Sequence, residues 1–150
     1  MAAHAPRIVV GVDGSPSADE ALRWAIQQAQ LAGGTVDALS AWEYPPSLGG
    51  VGMAPVGMYD STDFSQVAAS TLAEAIARVT DPADAGVTVH SRVAEGNAAT
   101  VLLAAADGAD LLVVGSRGHG SFASALLGSV SQHCVHHARC PVVVIRKDKA

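Results

Sequence analysis

Leu111-Leu112-Val113-Val114-Gly115-Ser116-Arg117-Gly118 and, after nine intervening residues, Gly128-Ser129-Val130-Ser131 are the stretch that decides how this chain folds. An unbroken apolar run reads as a strand buried on both faces, as in a parallel sheet. Glycines follow it, and a helical pattern follows them. Strand, glycine loop, helix start is the order in which an α/β protein builds an anion cradle. Glycine lets the backbone come close to a ligand and take φ > 0 without strain. A helix start adds unpaired N–H groups and the positive end of a dipole. Any single glycine here would read as ordinary turn punctuation. The combination of Gly115, Gly118 and Gly128, with Ser129 next, is more specific. Ser129-Val130-Ser131-Gln132 also has the S-x-x-Q form of a capping box, with Ser129 as the cap. Free N–H groups of Ser129, Val130 and Ser131 in the first turn would then face an anion, and a serine hydroxyl is itself a phosphate donor. No G-x-x-x-x-G-K-[ST] run exists, and no lysine lies near the loop. Its cationic candidates are Arg117 and His119, for which a solvated loop tip is an equal reading.

Outward from this stretch the same alternation continues. Arg7 to Asp13 reads as a first strand, and Gly14-Ser15-Pro16 as a turn. Ser17-Ala18-Asp19-Glu20 has the S-x-x-E form of a capping box. Ala21, Leu22, Ala25, Ile26 and Ala29 form a helical stripe that Gly33-Gly34 ends. Thr35 to Trp42 is a second strand. Pro45 to Met58, rich in Gly, Pro and Met, is too punctuated for regular structure and reads as a surface excursion or a lid. A second helix is expected over Ser65 to Thr80. The alternating Val87, Val89, Ser91 and Val93 give a third strand with one wet face, at a sheet edge. A third helix capped by Asn97 follows, then the fourth strand from Asp110 to Gly115. A fourth helix spans about Ser129 to Ala138, and Pro141 to Ile145 is a fifth, apolar strand.

Strands alternating with helices imply α/β architecture: a parallel sheet with helices on both faces. In such a sheet, ligands sit beyond the carboxyl ends of the strands where the winding reverses. The Asp13 turn and the glycine loop end the first and fourth strands, which makes those two the expected switch point. Asp13 can accept from a ribose hydroxyl or reach a phosphate-bound metal, or serve only as the turn former of Asp-Gly-Ser.

With 150 residues, the chain is expected to form one domain over 1–150, ordered from about 6 to 146, and to bury roughly 70% of its unfolded surface. The net charge of −5 without a basic stripe argues against nucleic-acid binding. No signal-peptide pattern or transmembrane-length apolar run appears, and there are two cysteines, so the reading is cytoplasmic, reduced and not membrane-bound. His133 and His137 are i, i+4, a spacing seen in zinc sites, but no third ligand is evident, and a polar helix surface is the leading reading.

Val10-Gly11-Val12-Asp13-Gly14-Ser15, Ala109 to Gly118, the glycine loop, and Cys140 to Arg146 together resemble the universal stress protein family across nearly the whole chain. The spacing G-x-x-G-x9-G-[ST] is similar to that of the family's ATP-binding branch. The resemblance implies an open, Rossmann-like five-stranded parallel sheet, order 3-2-1-4-5, with four helices. It implies ATP as ligand with Mg2+ as counter-ion. Its site residues would be Gly11, Asp13 facing the nucleoside, Ala41 meeting the adenine through its backbone, Gly115, Arg117, Gly118, Gly128, Ser129, Val130 and Ser131. It also implies a homodimer through the last strand, Val142-Val143-Val144-Ile145, an otherwise exposed edge. The expected role is a nucleotide-binding stress-response module with little or no turnover. A slow ATPase, a cyclic-nucleotide binder and a nucleotide-free interaction dimer remain alternatives. No acidic residue besides Asp13 lies beside the loop to position a water.

Overall fold

The computed structural model describes residues 4–44, 61–82, 86–117 and 127–146. The expected segment from Pro45 to Met58, together with Gly118 and His119, lies outside them. Five strands and four helices alternate along the described chain: β1 (Arg7–Gly11), α1 (Pro16–Ala32), β2 (Thr35–Trp42), α2 (Ser61–Val79), β3 (Thr88–Glu95), α3 (Ala98–Ala106), β4 (Leu111–Gly115), α4 (Ser129–His137) and β5 (Val142–Ile145). The strands form one parallel sheet in the order β3-β2-β1-β4-β5. The chain winds outward from β1 in both directions, so β1 and β4 are neighbours and the connections leaving their carboxyl ends run to opposite sides of the sheet, a switch point.

Successive side chains on a strand face opposite ways, and the core divides accordingly. Ile8, Val10 and Val12 pack with Leu22, Ile26, Leu72 and Val79 on the side of α1 and α2. Val9, Leu39, Leu112 and Val114 pack with Leu102, Ala106 and Cys134 on the side of α3 and α4. Central strands buried on both faces explain why β1 and β4 read as continuous apolar runs. β3 lies at the edge, as expected, with Val89 and Val93 packed toward α1 and α2, but Ser91, expected on the same face, is exposed, and Ala94 packs on the other side.

The amino end of the sheet is stitched shut. Thr35 donates its backbone N–H to the Pro6 carbonyl at 2.9 Å, and the Arg7 guanidinium donates to Asp37 at 2.9 Å. Asp110 accepts the Arg7 backbone N–H at 2.8 Å and meets the His4 ring at 2.8 Å. Gly34 lies so close to the Pro6 carbonyl that an added Cβ would stand 2.4 Å from its oxygen.

Several local expectations change. The cap of α1 is Ser15, whose Oγ accepts from the Ala18 N–H at 3.3 Å, and Pro16 opens the helix. Ser17 is therefore inside the first turn, and Glu20 pairs with Arg23 instead of reaching back. The cap of α4 is Gly128, which has no side chain to bond, so Ser129 is the first helical residue and not its cap. Gln132 donates to the Leu127 carbonyl at 3.0 Å. β1 ends at Gly11 rather than Asp13, and α2 begins at Ser61 rather than Ser65. Gly33 ends α1 in the left-handed region and Asn97 caps α3, both as expected. Among the described residues no helix is long and apolar enough to cross a membrane.

Candidate functional site

At the switch point, the carboxyl ends of β1, β2 and β4 and the amino ends of α1, α3 and α4 enclose one cavity. It holds about 680 Å3, counting open solvent at its mouth. The space within it that a water-sized occupant can reach is about 130 Å3. Gly11, Asp13, Ala41, Gly115, Arg117, Gly128, Ser129, Val130 and Ser131 all line it. Of the site residues expected from the sequence, only Gly118 is not among them, because it lies outside the described residues.

Each lining group is placed by a local cause. Asp13 follows β1, and its Oδ1 accepts the Ser15 N–H at 2.9 Å, an Asx turn that fixes the exposed carboxylate at the mouth. Gly115 ends β4 against the start of α1. A Cβ there would stand 2.6 Å from Ser17 Oγ and 2.7 Å from the Ser17 carbonyl carbon, so the position requires glycine for close approach. Its φ is not positive, contrary to the usual reason for a loop glycine. Gly128 N–H donates to the Ser116 carbonyl at 2.6 Å, which brings the α4 start back to the end of β4.

Three buried serines complete the frame. Ser131, 2% exposed, donates toward the Ser116 carbonyl at 3.1 Å and the Gly128 carbonyl at 3.0 Å. Ser17 is hydrogen-bonded to the Arg117 carbonyl, and its Oγ accepts the Arg117 N–H at 3.4 Å. Ser15 Oγ approaches the same carbonyl at 3.4 Å. No buried side-chain nitrogen or oxygen among the described residues lacks a partner.

The sequence reading did not find the rest of the wall: Leu39, Ala98, Leu102 and Val114 line an apolar side. Leu39 and Val114 lie on strands and Ala98 and Leu102 on α3, and their pattern is the same as that of core residues, so no sequence signal separates them. Among the described lining residues, Arg117 is the one cation and Asp13 the one carboxylate. Electrostatic attraction for an anion thus comes from one guanidinium, the α4 N-terminus and its N–H groups.

Trp42 does not line the cavity. It stacks on Phe64 with centroids 6.3 Å apart and meets Tyr44 edge-on at 5.6 Å, on the side of α2. The His133 and His137 rings lie 5.0 Å apart on the exposed face of α4, and no group of three or more potential metal ligands exists among the described residues. Cys134 and Cys140 are both free thiols, and burial pushes the Cys134 thiol up to about 11. Asp107 and Asp110 lie at the opposite end of β4 from the cavity.

Comparison with known proteins agrees with this architecture. The profile of the Universal stress protein family matches residues 5–146. A universal stress protein of Mycolicibacterium smegmatis is 35% identical over 152 residues, covering 97% of this chain and 48% of the relative. The chain thus spans about half the length of the relatives it matches. Among solved structures, a universal stress protein in complex with cAMP is 28% identical with a TM-score of 0.67, covering 97% of this chain and 100% of that one. The protein MJ0577 shares the fold at a TM-score of 0.78 and 19% identity, covering 99% and 100% of the two chains. A family protein from Arabidopsis thaliana with AMP bound does so at 0.60 and 20%, covering 95% and 92%. With the strand order, the switch-point cavity and a profile match across nearly its full length, the chain belongs to the universal stress protein family.

Proposed function

We propose that this chain binds an adenine nucleotide in the switch-point cavity, ATP with Mg2+ as counter-ion, and acts as a stress-response module with little or no turnover. The observation that carries this reading is the convergence of the β4 carboxyl end and the α4 amino end on one cavity with an apolar wall. The wall of Leu39, Leu102 and Val114 suits a flat base, with the Ala41 backbone at the strand end beside it. The α4 N-terminus, Ser129, Val130 and Arg117 suit phosphate. Asp13 at the mouth suits a ribose hydroxyl or the nucleotide's Mg2+. Gly118 would complete the cradle. Asp13 is the only lining carboxylate among the described residues, so little in that part of the wall orients an attacking water, which favours slow or absent hydrolysis.

A cyclic nucleotide is the second reading, favoured by the relative solved with cAMP at 28% identity. A backbone cradle with one arginine accepts more than one phosphate arrangement.

Calorimetry of the dialysed protein with ATP and Mg2+, AMP and cAMP, beside Gly128→Val, separates these readings. Micromolar ATP binding, lost in the variant, is the expected result. cAMP binding at least tenfold tighter than ATP would shift the ligand to the cyclic class. No heat with any adenine nucleotide, from folded protein free of co-purified nucleotide, would overturn the proposal.

A further inference from the structure

We propose that Ser131 and Ser17 are positioning residues for the connection between β4 and α4, and that the Ser131 hydroxyl does not itself donate to the ligand. The inference rests on the nucleotide reading above for its functional meaning, but its structural content stands without any ligand. The two serines come from different helices and hold the two ends of one loop. Ser131, on α4, holds the Ser116 and Gly128 carbonyls at 3.1 and 3.0 Å, and Gly128 N–H adds a second bond to Ser116. Ser17, on α1, holds the Arg117 carbonyl and accepts the Arg117 N–H, with Ser15 beside it. The described carbonyls flanking the loop are thus occupied from within the protein.

Two physical consequences follow. A hydroxyl carries one proton. In Ser131 that proton is shared between two internal carbonyls, and the residue is 2% exposed, so an arriving phosphate would meet lone pairs and not a donor. The sequence reading placed Ser131 among the nucleotide ligands; its geometry gives it a different task. Second, a trans peptide points its N–H opposite to its C=O. The Gly128 carbonyl is held by the Gln132 N–H at 3.0 Å as well as by Ser131, which turns the Ser129 N–H the other way, and Ser129 is the exposed residue at the mouth of the cavity. Carbonyl oxygens, which would repel an anion, are held away while N–H groups are left facing outward.

The test uses Ser131→Ala, Ser131→Thr and Ser17→Ala in the full chain. Two readouts are taken: hydrogen exchange at the internally bonded amides of Ser116, Arg117 and Gly128 without nucleotide, and ATP affinity by calorimetry. Loss of one buried hydroxyl bond should speed exchange at these amides by about tenfold. Ser131→Ala should weaken ATP binding by at least about tenfold, and Ser131→Thr, which keeps the hydroxyl, should restore both. Weakened binding with ligand-free exchange unchanged would make Ser131 a direct donor and overturn the proposal. Wild-type exchange and wild-type affinity in Ser131→Ala would overturn it as well. Should Ser131→Ala fail to fold, Ser17→Ala carries the same two readouts from the other helix. If the wild type binds no nucleotide, the functional reading fails, and the exchange rates alone still decide whether the serines hold the loop.

Discussion

A methyl group on Gly115 would meet Ser17 Oγ at 2.6 Å, the Ser17 carbonyl carbon at 2.7 Å and the Ala18 nitrogen at 2.9 Å. Two of those atoms are backbone at the start of α1 and cannot rotate away. Gly11 is different: its added Cβ would meet Leu102 Cδ1 at 2.8 Å, the far end of a flexible side chain. Gly115→Ala is therefore expected to destabilise the fold by about 1–3 kcal/mol through overpacking and to displace the Ser17 hydroxyl from Arg117. Urea unfolding measures the first effect; an unchanged midpoint would show that α1 shifts freely. The same residue marks a limit of sequence reading. Gly115 was legible as a site glycine from its spacing, but the reason for it was not, because the partner it makes room for lies about a hundred positions away.

Elements built from a continuous apolar run or a clear helical stripe were legible. β2 and the switch of winding between β1 and β4 followed from the alternation of strands and helices. Helix starts were less so. Ser-x-x-Glu and Ser-x-x-Gln patterns pointed to Ser17 and Ser129, whereas Ser15 and Gly128 occupy the cap positions. Pro16 explains the first, since proline at the opening position fixes the helix one residue behind it. Tertiary bonds explain the second: the Gly128 N–H is drawn to Ser116, and the side chain that bonds its carbonyl belongs to Ser131. At the opposite end of β4, Asp110 ties that strand to β1. The Arg7 N–H, and then His4, hold its carboxyl below the ordinary value of 3.8. A carboxylate with a lowered native pKa adds stability that is present above the unfolded value and is lost as pH falls below it. Asp110→Asn should therefore flatten the acid limb of the stability curve below about pH 4, leaving the neutral-to-alkaline part parallel to wild type. Acid titration followed by circular dichroism checks this; an acid limb identical to wild type would remove Asp110 from the account.

Across the molecule as a whole, the sheet has two edge strands, β3 and β5, and β5 is the apolar one. Leu112 N–H bonds the Pro141 carbonyl at 3.0 Å and Ser116 N–H bonds the Ile145 carbonyl at 2.8 Å. By the alternation of a parallel ladder, the backbone groups of Val142 and Val144 face outward. A homodimer through the last strand, which the family resemblance implies, would use those groups. Val144→Pro removes an outward donor without touching the β4 ladder. The expected outcome in sedimentation is a dimer for wild type and a monomer of unchanged helical content for the variant. A monomeric wild type, or a variant that still dimerises, would place any association elsewhere.

The stitching at the amino end of the sheet has a consequence for how this architecture diversifies. Pro6, Arg7, Gly34, Asp37 and Asp110 lock the floor through backbone carbonyls and paired charges. The cavity residues stand at the opposite rim, on strand ends and turns. Replacements at the rim can alter what is recognised while the floor continues to specify the same scaffold. Lineages carrying this design are free to change their chemical vocabulary without having to reinvent how the chain folds.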